Sequence, residues 1–210
     1  IIAAMDYESA FKVLPPAMIA DWHRGTKVAS IAASAFDGHF GNNNNQGAWA
    51  WSAFILPFSE GKPQYDALEV RSLSAHDSMV EAFVNGDLGK RQVFETPLPL
   101  FLCPSDPNSG NGMVRHSNRR MQVGGSRRNT PMSNYVGICR GGHQNVSYVS
   151  GTSYRQNGVF SLNFATRLAH NTDGSSNTVY FGERSYEFNH PINAGQKVTP
   201  RAGLRGAVTS

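Results

Sequence analysis

The chain has few charged residues and no long apolar run. Asp, Glu, Lys and Arg make up 16% of its 210 residues, while hydrophobic residues make up 40%. No segment approaches the roughly 20 consecutive apolar residues that a membrane-spanning helix requires. Intrinsic disorder is not expected either, because disordered chains are highly charged and poor in aromatics, whereas this one holds 12 Phe, 7 Tyr and 3 Trp. The composition, with 21 Gly and 11 Pro, predicts a folded domain rich in strands and loops, as is typical of exported proteins.

Catalytic and nucleic-acid-binding motifs are absent from the sequence. Its seven histidines never occur as His-x-x-x-His or beside a cysteine, which argues against a zinc or transition-metal centre. There is no Gly-x-Ser-x-Gly elbow of a serine hydrolase and no Gly-x-x-x-x-Gly-Lys phosphate loop. Helix-turn-helix, zinc-finger and RNP patterns are missing as well. The sequence therefore predicts a non-enzymatic protein without a nucleic-acid partner.

Only two cysteines are present, Cys103 and Cys139, and each lies at the end of a predicted strand. Their separation of 36 positions fits no zinc-binding spacing and no Cys-x-x-Cys redox motif. In an exported protein we expect them to form a disulfide, which would close a loop and stabilise the fold by about 3 kcal/mol. The alternative is a pair of buried free thiols.

Charge is distributed unevenly along the chain, whose formal net charge is +4. Residues 1–106 carry 7 Lys or Arg against 12 Asp or Glu, whereas residues 107–210 carry 12 against 3. Such a polarised chain can attract copies of itself, or a polyanion, through complementary fields. The alternative is a solvated arginine-rich loop. The arginines predicted to contact an anion or a partner are Arg115, Arg119, Arg120, Arg127 and Arg128.

The first half of the chain has helical patterns. Apolar residues recur at three- and four-residue spacings over residues 1–14, and Pro15-Pro16 stops this helix because proline lacks an amide hydrogen. Residues 64–84 have the pattern of one or two short helices. The aromatic-rich segment 48–58 is predicted to be buried, and its pattern leaves helix and strand both open.

From residue 93 onward the sequence favours strands and an α+β fold. The predicted strands are residues 93–94, 98–103, 134–139, 146–149, 158–162 and 177–183. Together they predict an antiparallel sheet packed on the N-terminal helix, with long loops and an extended, weakly ordered tail after residue 190. The residues predicted to be mostly buried are Trp49, Trp51, Phe54, Leu56, Phe101, Tyr135, Val159, Phe160, Val179 and Phe181.

Six short sequence segments (phrases), taken in their order along the chain, resemble those of a known family. The first, residues 6–16, ends the predicted helix as Asp-Tyr-Glu-Ser-Ala-Phe-Lys-Val-Leu-Pro-Pro. Another, residues 101–107, reads Phe-Leu-Cys-Pro-Ser-Asp-Pro. The others are residues 51–60, 133–137, 157–160 and 172–183. Together they resemble the planctomycete prepilin-like family called domain of unknown function 1559.

This resemblance implies a type IV pilin-like or pseudopilin-like precursor with a cleaved leader, a long hydrophobic helix and an exported α+β head. Residues 1–16 would be the C-terminal part of the pilin-like helix, residues 17–190 the head and residues 191–210 the tail. The expected location is extracytoplasmic, at the cell surface or secreted, with membrane contact only through an upstream helix. The implied function is structural, as a self-assembling homo-oligomer of a cell-surface or secretion-linked filament. The alternative is a soluble extracellular module that binds polysaccharide or another anionic ligand.

Calcium is the one cofactor that the sequence suggests. Asp173, Asn177 and Glu183 place hard oxygen ligands close together in the chain, and calcium prefers such ligands. The resemblance to pseudopilins adds to this expectation, since proteins of that kind can carry calcium in C-terminal loops. The alternative is an ordinary tight turn set by Asp173-Gly174.

Overall fold

A computed structural model of the chain describes residues 1–20, 48–106, 112–113, 121–128, 130–138, 158–160, 165–183, 188–189, 197–198 and 208–209. Helix α1 (Ile2–Phe11) confirms the predicted N-terminal helix. It ends at Lys12, whose backbone is left-handed with a φ of 59° and whose amide donates to the Glu8 carbonyl. Two prolines follow, so the helix cannot continue. None of the helices among these residues is long and apolar enough to cross a membrane.

The predicted buried segment 48–58 contains both a strand and helical turns. Strand β1 (Met18–Ala20) pairs antiparallel with β2 (Ala48–Ala50). The chain then enters helix α2 (Trp51–Phe54) and a 3-10 turn, Leu56–Phe58, with a proline in its first turn. The ambiguity of the sequence pattern therefore reflects a real change of conformation within the segment.

Three short helices follow. Helices α3 (Lys62–Ala67) and α4 (Ala75–Phe83) confirm the helices predicted over residues 64–84. Helix α5 (Leu88–Glu95) packs against α4 and includes residues 93–94, so the strand predicted there is wrong. The Asp87 carboxylate caps α5 by accepting a hydrogen bond from the Lys90 amide at 3.0 Å. This cap and the packing of the helix outweigh the local β-propensity of Val and Phe.

The strand predicted at residues 98–103 is also wrong. Pro99–Phe101 forms a 3-10 turn, with the proline in its first turn, where a fixed φ is tolerated. The Phe101 amide donates to the Leu98 carbonyl at 3.0 Å, and the Leu102 amide to that of Pro99 at 3.0 Å. The apolar residues that suggest a strand over 98–103 therefore belong to a turn.

The described strands form small sheets. Strand β3 (Met121–Val123) pairs antiparallel with β4 (Ser126–Arg128), and β5 (Tyr135–Ile138) pairs antiparallel with β6 (Phe181–Glu183). Strand β9 (Val208–Thr209) joins β5 in parallel. Two further strands pair antiparallel with each other, namely β7 (Phe188–Asn189) and β8 (Lys197–Val198). The fold is therefore mixed helix and sheet, as predicted.

The other strand predictions have different outcomes. Strand β5 confirms the strand at 134–139 in its main part, whereas only the last three residues of the predicted strand 177–183 are in β6. In the predicted strand 158–162, residues 158–160 are not in a strand, and residues 161–162 lie outside the described residues, as do residues 146–149. The predicted tail contributes strands β8 and β9.

An aromatic cluster forms the centre of the core. The Trp51 ring lies 5.8 Å from that of Phe101, 6.2 Å from Phe160 and 4.8 Å from Phe181, measured between ring centroids. Of the ten residues predicted to be mostly buried, six are buried and three are half-buried. Val179 is 67% exposed, so that prediction is wrong. It precedes β6, which begins only at Phe181.

Candidate functional site

The Cys-Pro-Ser-Asp turn and the start of strand β5 meet in the protein interior. The backbone amide of the buried Asn134 donates to the Phe101 carbonyl at 2.9 Å. The side-chain oxygen of Asn134 accepts a hydrogen bond from the backbone amide of Cys103 at 2.9 Å. Its side-chain nitrogen donates to the buried Asp106 carboxylate at 2.6 Å. Paired in this way, the buried polar groups avoid the cost of desolvation without a partner. The arrangement fixes the turn against the strand and is structural.

Cys103, one half of the predicted disulfide, lies in this turn. It is buried, and its sulfur lies 3.0 Å from the Ser105 hydroxyl oxygen. Cys139 lies outside the described residues. The pairing of the two cysteines therefore stays a prediction.

The three residues predicted to bind calcium occupy an exposed turn and a strand end. The Asn177 side-chain nitrogen donates to the Asp173 main-chain carbonyl at 2.9 Å, closing a turn in which Gly174 has a φ of 81°. Glu183 is exposed and stands opposite Tyr135 in the β5–β6 pair. In the part of the chain that is described, no group of three or more His, Cys, Asp or Glu is placed to hold a metal. Calcium stays a prediction.

Among the five predicted contact arginines, Arg128 is the one whose side chain is described. Its guanidinium carbon lies 5.2 Å from the ring centroid of Phe83, in a cation–π contact. Its Nε is buried and has no hydrogen-bond partner among the described residues. Arg127 contributes its backbone to β4, while Arg115, Arg119 and Arg120 lie outside the described residues. The structure therefore holds one of these arginines in a fixed, partly desolvated position.

A buried ammonium group that sequence reasoning missed lies on the other side of helix α4. Lys90 is only 6% exposed. Its Nζ lies 2.7 Å from the Glu81 carboxylate, 3.4 Å from that of Asp87 and 3.6 Å from that of Glu69. These three carboxylates remain partly exposed to solvent. We call Lys90 and its three partners the Lys90 cluster, which has an excess of negative charge.

The ionisation of the Lys90 cluster follows from these contacts. The hydrogen bond to Glu81, opposed by desolvation, raises the pKa of the Lys90 ammonium. The pKa of the Asp87 carboxyl is lowered, chiefly because it accepts a hydrogen bond from the Lys90 backbone amide. Both shifts favour the charged forms. The i,i+3 spacing of Asp87 and Lys90 was a signal in the sequence, but their approach to Glu69 and Glu81 depends on tertiary packing.

Exposed large apolar side chains stand on helix α1, around the turn between α4 and α5, and singly at Leu100 and Val179. At the amino end of helix α1, Ile1, Ile2 and Met5 are exposed. Val84, which follows α4, is 55% exposed, and Leu88, the first residue of α5, is 75% exposed. Singly exposed apolar residues are normal on a surface, whereas large contiguous apolar patches mark contact sites.

The carboxyl end of helix α1 is anchored by aromatic rings. The Tyr7 ring centroid lies 4.6 Å from that of Phe11 and 5.8 Å from that of Phe58, in the 3-10 turn after α2. Phe11 itself lies 6.2 Å from Phe58. Burial raises the pKa of the Tyr7 hydroxyl. Phe11 is nevertheless 58% exposed and Ala4 is buried in the core, so helix α1 packs by its middle and exposes apolar side chains at both ends.

Comparison with known proteins places the chain in a family. A family model described as a protein of unknown function (DUF1559) matches residues 1–204. The chain belongs to this family, as the phrases in its sequence indicate. No curated protein and no solved structure matches it.

Proposed function

We propose that the chain is a structural, self-assembling extracytoplasmic protein of the pilin or pseudopilin type, part of a cell-surface or secretion-linked filament. The ordered phrases that resemble planctomycete prepilin-like proteins support this proposal, and so does the division of charge between the two halves of the chain. No enzymatic activity and no nucleic-acid partner are part of the proposal.

The observation that carries the proposal is the exposure of large apolar side chains on helix α1. Ala4 and Tyr7 pack on the core, whereas Ile2 is 80% exposed near one end of the helix and Phe11 is 58% exposed at the other. Full burial of a large apolar side chain stabilises an assembly by about 1.5–3 kcal/mol. A helix that is held to the core by part of its surface and exposes large apolar side chains elsewhere suits contact with neighbouring copies. In the proposed pilin-like arrangement, α1 is the end of a longer helix that enters the α+β head.

The experiment is to image the chain by negative stain and to measure its light scattering at low and physiological salt. The proposal predicts ordered polymers whose scattering falls as salt rises, because exposed charges are screened beyond a Debye length of about 8 Å at physiological salt. Replacing basic residues by Arg119→Glu, Arg120→Glu, Arg127→Glu and Arg128→Glu should reduce assembly.

A matched pair of double variants tests whether added negative charge weakens assembly only when it is placed in the basic half of the chain. Arg127→Glu with Arg128→Glu changes the basic half, and Arg71→Glu with Arg91→Glu changes the acidic half by the same charge. The first pair should weaken assembly, and the second should leave it intact or strengthen it. Equal assembly in every variant, insensitive to salt, would contradict the charge-driven contact.

A second candidate function is a binding module for polysaccharide or another anionic ligand. The observation that favours it is the fixed guanidinium of Arg128, which has a buried Nε without a partner in the described structure. Arginine pairs readily with carboxylate and phosphate groups. A monomer that binds acidic glycans on an array, and loses that binding in Arg128→Glu, would favour this function over assembly.

A further inference from the structure

The surface between helices α4 and α5 has an apolar centre. Val84 and Leu88 are both exposed and are separated by a three-residue turn. The Asp87 amide donates to the Glu81 carbonyl at 3.0 Å, which holds the turn closed. The β3–β4 hairpin reaches the same place, because a Cβ added at Gly124 would lie 2.9 Å from a Val84 methyl group. The apolar centre therefore lies where the turn between α4 and α5 meets the β3–β4 hairpin.

Opposite charges flank this centre on its two sides. Val84 ends helix α4 and keeps a helical backbone conformation. At about 100° per residue, Phe83 therefore lies about 100° to one side of Val84, and Glu81 lies about 60° to the other. The Phe83 side carries the Arg128 guanidinium, stacked on its ring. The Glu81 side carries the Lys90 cluster, with its excess of partly exposed carboxylates. The order across the surface is thus cation, apolar centre, anion.

This order is self-complementary. When two identical copies meet face to face about a two-fold axis, each side of the surface contacts the opposite side of the other copy. With the axis at Val84, each Arg128 would meet the other copy's acidic cluster, and the exposed apolar side chains would pack at the centre. A central apolar patch with a polar, charge-matched rim is the usual anatomy of a specific interface.

We propose that the surface formed by Arg128, Phe83, Val84, Leu88 and the Lys90 cluster is a two-fold contact between copies of this chain. It supplies one contact of the self-association proposed above, and it rests on that function. An isologous contact closes on itself, so it produces a dimer, and growth of a filament requires a second contact elsewhere. The dimer is then the building block of the assembly.

The first test uses cross-linking at the axis. In Val84→Cys the two introduced thiols would face each other across the axis, so mild oxidation should produce covalent dimers. Val179→Cys is the matched control, because Val179 is also an exposed valine, 67% against 55% for Val84, and it precedes β6 instead of belonging to this surface. The unmodified chain, run in parallel, accounts for the native cysteines.

The second test uses charge. Arg128→Glu would place like charges against each other twice in the dimer, and we expect it to raise the dimer dissociation constant by about tenfold or more. Arg167→Glu is the control, because Arg167 is an exposed arginine of the same basic half. Sedimentation measures both, and circular dichroism verifies that each variant is folded.

The outcomes separate this surface from the proposed function. Covalent dimers in Val84→Cys but not in Val179→Cys, with weakening only in Arg128→Glu, would support the surface. An unmodified chain that self-associates while Val84→Cys fails to cross-link, or cross-links no better than the control, would overturn the surface and leave the function intact. An unmodified chain that is monomeric at every concentration would overturn both.

Discussion

The side chain of Lys90 connects three parts of the chain through one buried ammonium group. Glu69 comes from the turn after α3, Glu81 from α4, and Asp87 from the cap of α5. A buried charge is tolerated only when it is paired, because its removal from water is otherwise costly. The Lys90 cluster therefore fixes the geometry of the helical hairpin.

Glu81→Gln tests the strength of this cluster. The change removes the shortest of the three ion pairs, and we expect it to lower the free energy of unfolding by about 1 kcal/mol, since two carboxylates remain and the site is partly open to solvent. In the control Glu95→Gln, which removes an exposed pair with Arg91, the change should stay within about 0.5 kcal/mol. Urea denaturation measures both. Equal losses of unfolding free energy in the two variants would show that the buried position of Lys90 does not strengthen its ion pair with Glu81.

Asp87→Asn tests the cluster by pH. The lowered pKa of Asp87 in the folded chain means that its carboxylate contributes stability above its unfolded pKa of about 3.9, and this contribution is lost as the pH falls through the lower folded value. Asparagine also caps helices well but does not titrate in this range. The free energy of unfolding should therefore fall less steeply below about pH 4 in Asp87→Asn than in the unmodified chain. Parallel pH profiles would contradict this role for Asp87.

At the scale of elements, local signals predicted some segments well and others poorly. Helix α1 was predictable because its apolar spacing is regular and two prolines end it. Helix α5 was not, because the β-propensity of Val93 and Phe94 concealed a helix that Asp87 caps. The six sequence segments identified the family, but they did not reveal the buried hydrogen bonds of Asn134, because these bonds join residues that are far apart in the sequence.

The β3–β4 hairpin gives a matched test at this scale. Its turn residues Gly124 and Gly125 both have positive φ, of 56° and 74°. Replacement by alanine should cost about 1 kcal/mol at either position, since a Cβ is unfavourable in this conformation. Gly124→Ala should cost more than Gly125→Ala, because only the first places its Cβ 2.9 Å from Val84. Denaturant titration of the two variants compares them directly, and equal costs would argue against the close contact of hairpin and helix.

At the scale of the whole molecule, the Cys103–Cys139 disulfide would join the turn after helix α5 to the end of strand β5. We expect the purified chain to have the mass of the oxidised form and to gain two hydrogens on reduction. Reduction should also lower the free energy of unfolding by about 3 kcal/mol. Two free thiols, titrated in the unfolded and unreduced chain, would show that the bond is absent.

Self-association is the property of the whole molecule on which its proposed function depends. The acidic first half, the basic second half, the exposed amino end of α1 and the two-fold surface all favour contacts between copies. Each contact that involves exposed charges weakens as salt screens them.

The most direct measurement is sedimentation equilibrium of the unmodified chain over a range of concentrations, at low and at high salt. The account predicts a weight-average mass that rises above the monomer mass with concentration at low salt and falls back toward it as salt is added. A mass equal to that of the monomer at every concentration and salt would contradict it.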